Sequence, residues 1–106
     1  MGEDLRGSVV LVTGAGSGLG EATAHAFAAA GCRLACLDLD GAAAARTVAA
    51  LSADAMPLAC DMADAAAIAT AVGTLVERWG RLDIAVNCAA IANSSIGRVW
   101  SIAAQL

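Results

Sequence analysis

Gly14, Gly18 and Gly20 follow directly on four apolar residues, Val9 to Val12, and on Thr13. Three of the four apolar residues are β-branched. The run does not alternate with polar residues, which suits a strand covered on both faces, as in a parallel sheet. Beyond the glycines, Glu21 to Ala30 reads as helix. Glycine permits a tight turn and lets a ligand approach the backbone. The N–H groups that open the next helix have no partner within it, and with the positive end of the helix dipole they form an anion site. The chemistry predicted for strand, glycine turn and helix is the binding of a nucleotide phosphate.

Spacing narrows the choice. The common dinucleotide fingerprint places glycines at i, i+2 and i+5. Counted from Gly14, the last place holds Leu19; counted from Gly16, it holds Glu21. A phosphate loop of the kinase or ATPase type needs Lys after its last Gly, and this chain has no Lys. The pattern present is Thr13-Gly14-x-x-x-Gly18-x-Gly20.

Three later positions carry further chemistry. Asp38 follows the apolar segment Leu34-Ala35-Cys36-Leu37. A carboxylate there can accept both hydroxyls of an adenosine ribose and repels a 2′-phosphate. Neither Ser17 nor Leu39 supplies the Arg that would welcome such a phosphate. The plainer role for Asp38 is a turn or helix cap within Asp38-Leu39-Asp40. Asp61, in Cys60-Asp61-Met62, is equally able to cap the helix that follows it. Asn87-Cys88-Ala89-Ala90 closes the last apolar run, where the Asn side chain could simply bond neighbouring backbone.

These four ordered motifs resemble the short-chain dehydrogenase/reductase family, over Arg6 to about Ala92. The resemblance implies an NAD cofactor. Thr13, Gly14, Ser17, Gly18, Leu19 and Gly20 would form its phosphate turn, and Asp38 and Leu39 its ribose contact. Asp61 and Met62 would hold the adenine. Asn87, Cys88 and Ala89 would lie along the cofactor's ribose and steady the sheet. The family's usual segment there is Asn-Asn-Ala-Gly, and this chain has Cys88 and Ala90 at its second and fourth places. Gly18-Leu19-Gly20, Leu37-Asp38-Leu39 and Val86-Asn87-Cys88-Ala89 are most similar to the branch acting on 3-hydroxyacyl-CoA esters.

The elements that must position these residues alternate along the chain. Ser8 to Thr13 reads as the first strand. Leu19, Ala22, Ala26, Phe27 and Ala30 have helical spacing, and Gly31 stops that helix. Arg33 to Asp38 is the second strand. Asp40 can cap a helix from Gly41 to Ser52 that presents Val48 and Leu51. Ala55 to Cys60 is the third strand, and Pro57 marks it as an edge because Pro cannot donate to a ladder. Ile68, Val72, Leu75, Val76 and Trp79 define a third helix, with Asp64 in its first turn and Gly80 at its end. Leu82 to Asn87 is the fourth strand. The expected fold is α/β, a Rossmann-like doubly wound parallel sheet in truncated form, with strand order 3-2-1-4.

Composition bounds the rest. A chain of 106 residues predicts one domain. With 59% hydrophobic residues and 15% charged, disorder is not expected. The net charge of −4 offers no basic patch for nucleic acid. The uncharged stretch Ile84 to Gly97 is too short and too polar to span a bilayer. The first residues resemble neither a signal peptide nor a myristoylation site. Cys32, Cys36, Cys60 and Cys88 form no Cys-x-x-Cys pair and His25 is the sole His, so no metal site is expected. A cytoplasmic protein is the expectation.

Residues 1–92 read as the NAD-binding half-domain and residues 93–106 as a divergent tail. Ile96, Val99, Trp100 and Ala103 have helical spacing in that tail, with Ser95 as a cap and Gly97 weakening the helix. Family domains run to roughly 250 residues, and their later part carries a catalytic Ser and Tyr-x-x-x-Lys. There, Tyr is the general acid/base and Lys lowers its pKa. This chain has neither Tyr nor Lys, so no catalytic residue is assigned. Two readings follow: the cofactor-binding portion of an oxidoreductase acting on CH–OH groups, inactive alone, or a non-enzymatic nucleotide-binding or dimer-interfering module. A fourth-strand edge left open unless the tail covers it, together with uncovered helix faces, predicts self-association.

Overall fold

The computed structural model describes residues 4–88. Its elements are β1 (Val9–Thr13), α1 (Gly18–Ala29), β2 (Arg33–Asp38), α2 (Gly41–Ala49), β3 (Ala55–Ala59), α3 (Ala65–Trp79) and β4 (Ile84–Asn87). The four strands form one sheet in the order β3-β2-β1-β4, and every pairing is parallel. This is the Rossmann-like architecture expected from the alternating elements. Ala89, the boundary at Ala92 and the tail helix over Ile96–Ala103 lie outside the described residues.

β1 is central, and its unbroken apolar run has a direct cause. Val9 and Leu11 face one layer, with Leu37, Met56 and the α3 residues Ile68, Val72 and Leu75. Val10 and Val12 face the other, with Leu34, Cys36 and Ala24 of α1, where Phe27, Val48 and Leu51 pack from outside. Each face therefore needs its own apolar side chains, and neither leaves room for a polar alternate. Pro57 stands opposite Cys36 in β3, which among the described residues pairs with β2 alone. Its missing N–H thus costs the ladder nothing on the free side.

Boundaries shift by a few residues. α1 begins at Gly18 rather than Glu21, because Glu21 N already donates to Ser17 O at 3.3 Å and so closes the first turn around the last two glycines. α2 ends at Ala49, short of Ser52. β1 starts at Val9, β3 stops at Ala59 and β4 starts at Ile84. Asp64 is the N-cap of α3 rather than a first-turn residue, its carboxylate accepting from Ala66 N at 3.0 Å and Ala67 N at 3.3 Å.

The face of α1 requires a correction. Leu19, Ala22, Ala26 and Ala30 are exposed, whereas Gly20 and Ala24 are buried and Phe27 and Ala28 half-buried. Alanine surrounds this helix, so hydrophobic contrast does not single out one face. The close approach of Gly20 to the turn sets the rotation instead.

Candidate functional site

The C-terminal ends of the strands open onto a cleft of about 390 Å³, within the range of small-molecule sites. Gly14, Ser17, Gly18, Leu19, Asp38, Leu39, Cys60, Asp61, Met62 and Cys88 line it. In an open parallel sheet this is where ligands bind, at the point where strand order reverses. Here β1 leads across to β2 on one side and lies against β4 on the other.

The turn is shaped by its glycines. Gly14 and Gly18 have φ of +64° and +55°, a region that L side chains rarely enter. A Cβ on Gly20 would overlap the Gly14 carbonyl oxygen, so the helix start lies directly against the turn. Ser17 is the N-cap of α1, yet its side chain makes no capping hydrogen bond. Among the described residues the first-turn amides thus have no side-chain cap, and an uncapped helix start of this kind can take an anion. Among the described residues, no Lys or Arg lines the cleft, and the groups there able to donate to an anion include the backbone N–H groups of the turn.

Asp38 ends β2 at the cleft. Its Oδ2 accepts from Gly16 N at 2.8 Å and its Oδ1 from Asp40 N at 2.9 Å. A carboxylate offers about four lone-pair sites, so acceptor capacity remains for a ribose diol. Asp61 is exposed and its Oδ1 accepts from Ala63 N at 2.9 Å. Asp64, not Asp61, caps α3, which leaves Asp61 facing the cleft beside Met62. Leu19 and Leu39, 73% and 74% exposed, are the large hydrophobics left in solvent among the described residues. Both stand at this cleft, where a planar ring could cover them.

Thr13, Gly20 and Asn87 lie behind the lining rather than in it. Thr13 is fully buried; its hydroxyl donates to Asn87 Oδ1 at 2.6 Å and accepts from Cys88 N at 3.0 Å. These groups hold the end of β4 against β1 and thereby place Cys88, whose Sγ is 3.7 Å from Thr23 Oγ1. Ala89 lies outside the described residues.

Cys60 enters the lining although the motifs did not mark it. Burial, with Asp61 and Asp64 nearby, pushes its thiol pKa up, so it presents a neutral, weakly polar surface. Ala15, Gly16, Ala43 and Thr47 also support the cleft from below. Their contacts join α2 to the turn over 32 residues of sequence, and no local pattern announces them. Among the described residues, no group of three His, Cys, Asp or Glu is arranged to hold a metal ion. No helix among them is long and apolar enough to cross a membrane.

Glycine turn, open helix start and carboxylate at the end of the second strand define a nucleotide-binding α/β domain. Residues 8–101 match the family model described as short chain dehydrogenase, and the chain belongs to that family. D-threitol dehydrogenase of Mycolicibacterium smegmatis is 44% identical over 91 residues, which cover 83% of this chain and 35% of that protein. A short chain dehydrogenase/reductase from Burkholderia phymatum, solved in complex with NAD, superposes with a TM-score of 0.76 at 31% identity. That match covers 78% of this chain and 31% of the other. 3-Ketoacyl-(acyl-carrier-protein) reductase from Brucella melitensis, complexed with NADH, gives 0.74 at 30% identity, over 92% of this chain and 45% of that one. The chain thus spans about a third of the length of the curated relative.

Proposed function

We propose that this chain is the NAD(H)-binding portion of an oxidoreductase acting on CH–OH groups. The carrying observation is the placement of Asp38 at the cleft, one strand away from the glycine turn, with acceptor capacity remaining on its carboxylate. The ligand's phosphates would lie against the first-turn amides of α1, its adenosine ribose against Asp38, and its adenine beside Asp61, Met62 and Leu39. Bound nicotinamide supplies hydride acceptance or donation. The residues in hand bind and orient; none is a general acid/base matched to a substrate hydroxyl, because the 106 residues include neither Tyr nor Lys.

D-threitol dehydrogenase and the ketoacyl reductase among its relatives support a CH–OH substrate for the complete catalytic unit. A 3-hydroxyacyl-CoA ester is the narrower proposal, supported by Gly18-Leu19-Gly20, Leu37-Asp38-Leu39 and Val86-Asn87-Cys88-Ala89. The lack of Tyr and Lys also favours a second reading, a nucleotide-binding module that does no chemistry itself. The cysteines among the described residues are free thiols, which suits a reducing cytoplasm.

Titrating the purified 106-residue chain with NADH, followed by nucleotide fluorescence, tests the binding claim. Saturable binding is expected, with no NADH formed from NAD in the presence of polyols or 3-hydroxyacyl-CoA esters. Absence of binding by folded chain would overturn the cofactor assignment, and turnover by the pure chain would overturn the claim that it is inactive alone.

A further inference from the structure

The Ala15–Gly16 peptide is gripped at both ends. Its carbonyl oxygen accepts from Thr47 Oγ1 at 2.8 Å, and its N–H donates to Asp38 Oδ2 at 2.8 Å. A trans peptide is planar, with C=O and N–H pointing in opposite directions. The two bonds therefore fix one plane, and releasing either allows it to rotate. Thr47 lies in α2, only 1% exposed, one helical turn after Ala43. Ala43 closes the same face: a Cβ on Gly16 would come within 2.6 Å of Ala43 Cβ and 2.8 Å of Asp38 Oδ2. Asp40 completes the circuit by capping α2 through Ala43 N at 3.1 Å while its own N–H donates to Asp38 Oδ1.

Resting on the NAD-binding reading, we propose that Thr47 is a positioning residue of this cleft. Its hydroxyl holds the Ala15–Gly16 peptide in the orientation that aims Gly16 N–H at Asp38. The Asp38 carboxylate is thereby kept in place for the ribose diol, and the turn in place for the phosphates. Thr47 touches no ligand, since it does not line the cleft. A buried β-branched hydroxyl is costly in an alanine-rich helix unless it is bonded, and here its partners are the turn and Ala43 O at 3.3 Å.

Thr47→Val keeps the shape and removes the hydroxyl; Thr47→Ser keeps the hydroxyl. Amide hydrogen exchange read residue by residue by NMR, together with NADH titration, tests the proposal. In Thr47→Val, Gly16 N–H should exchange roughly 10-fold faster, while Leu11 and Ala35 in the central strands change much less. NADH affinity should fall by a similar factor, and Thr47→Ser should restore both. Unchanged Gly16 exchange in folded Thr47→Val would overturn the proposal. So would faster exchange spread equally over β1 and β2, which marks a general loss of stability. If the unmodified chain binds no NADH, the cofactor reading fails, and the Gly16 exchange still decides whether Thr47 sets the peptide.

Discussion

The Thr13 hydroxyl donates to Asn87 Oδ1 at 2.6 Å, joining the ends of two strands 74 residues apart in sequence. Thr13 is wholly buried, so the pair acts on the sheet and reaches the cleft through the position of Cys88. Thr13→Val should lower stability by about 1–2 kcal/mol, read as a lower urea midpoint with an unchanged slope. A variant as stable as the parent would show that the bond contributes nothing.

Two glycines on helices should respond in opposite directions. Gly20→Ala must push its methyl into the Gly14 carbonyl, so NADH binding should be lost even where the chain stays folded. Gly73 lies mid-way along α3 with open space where a Cβ would go. Gly73→Ala should raise stability by about 0.5–1 kcal/mol. Thermal melts and NADH titration of the two variants check both.

Acid should loosen the end of the fold opposite the cleft. The Trp79 indole N–H at 2.9 Å, aided by Arg78, holds the Asp54 carboxyl below the usual carboxylate range. Arg81, and the Val9 N–H at 2.8 Å, do the same for Asp83. A carboxyl whose folded pKa is depressed binds fewer protons folded than unfolded. Its contribution is present above the unfolded value of about 3.9 and is lost as pH falls through the folded value. The urea midpoint should be flat near neutrality and decline below about pH 4. Asp83→Asn should lower the midpoint at neutral pH and make its acid decline shallower; an equally steep decline would remove Asp83 from this account.

Much of this arrangement can be read in the sequence, for identifiable reasons. β1 and β2 are legible because burial on both faces demands unbroken apolar runs, and Pro57 marks the edge strand because it lacks an N–H. Asp38 is legible because its place after the second strand is fixed by the fold. The burial of α1 is not legible, since alanines such as Ala22 and Ala24 offer equal hydrophobicity on opposite sides. Thr13 and Asn87 belong to the motifs, yet they act from behind the lining, a distinction only packing reveals. Thr47 is hidden because its partner, Ala15 O, is brought to it by the β2–α2 crossover.

Self-association is expected from what the described residues leave open. β4 pairs with β1 on one side only, and Leu19, Ala22 and Ala26 are exposed on α1. Strand edges and apolar faces of this kind recruit other chains. Sedimentation over a range of concentrations should show a dimer or larger species; a monomer at every concentration would refute self-association.

Comparison of NAD with NADP by calorimetry on the unmodified chain and on Asp38→Ala bears most directly on the central claim. A 2′-phosphate would meet the Asp38 carboxylate, with no Arg or Lys among the described residues of the cleft lining to offset it. The unmodified chain should bind NAD at least about tenfold more tightly than NADP, and Asp38→Ala should erode that preference chiefly by weakening NAD. Equal affinity of the unmodified chain for the two dinucleotides would contradict the placement of the adenosine ribose at Asp38.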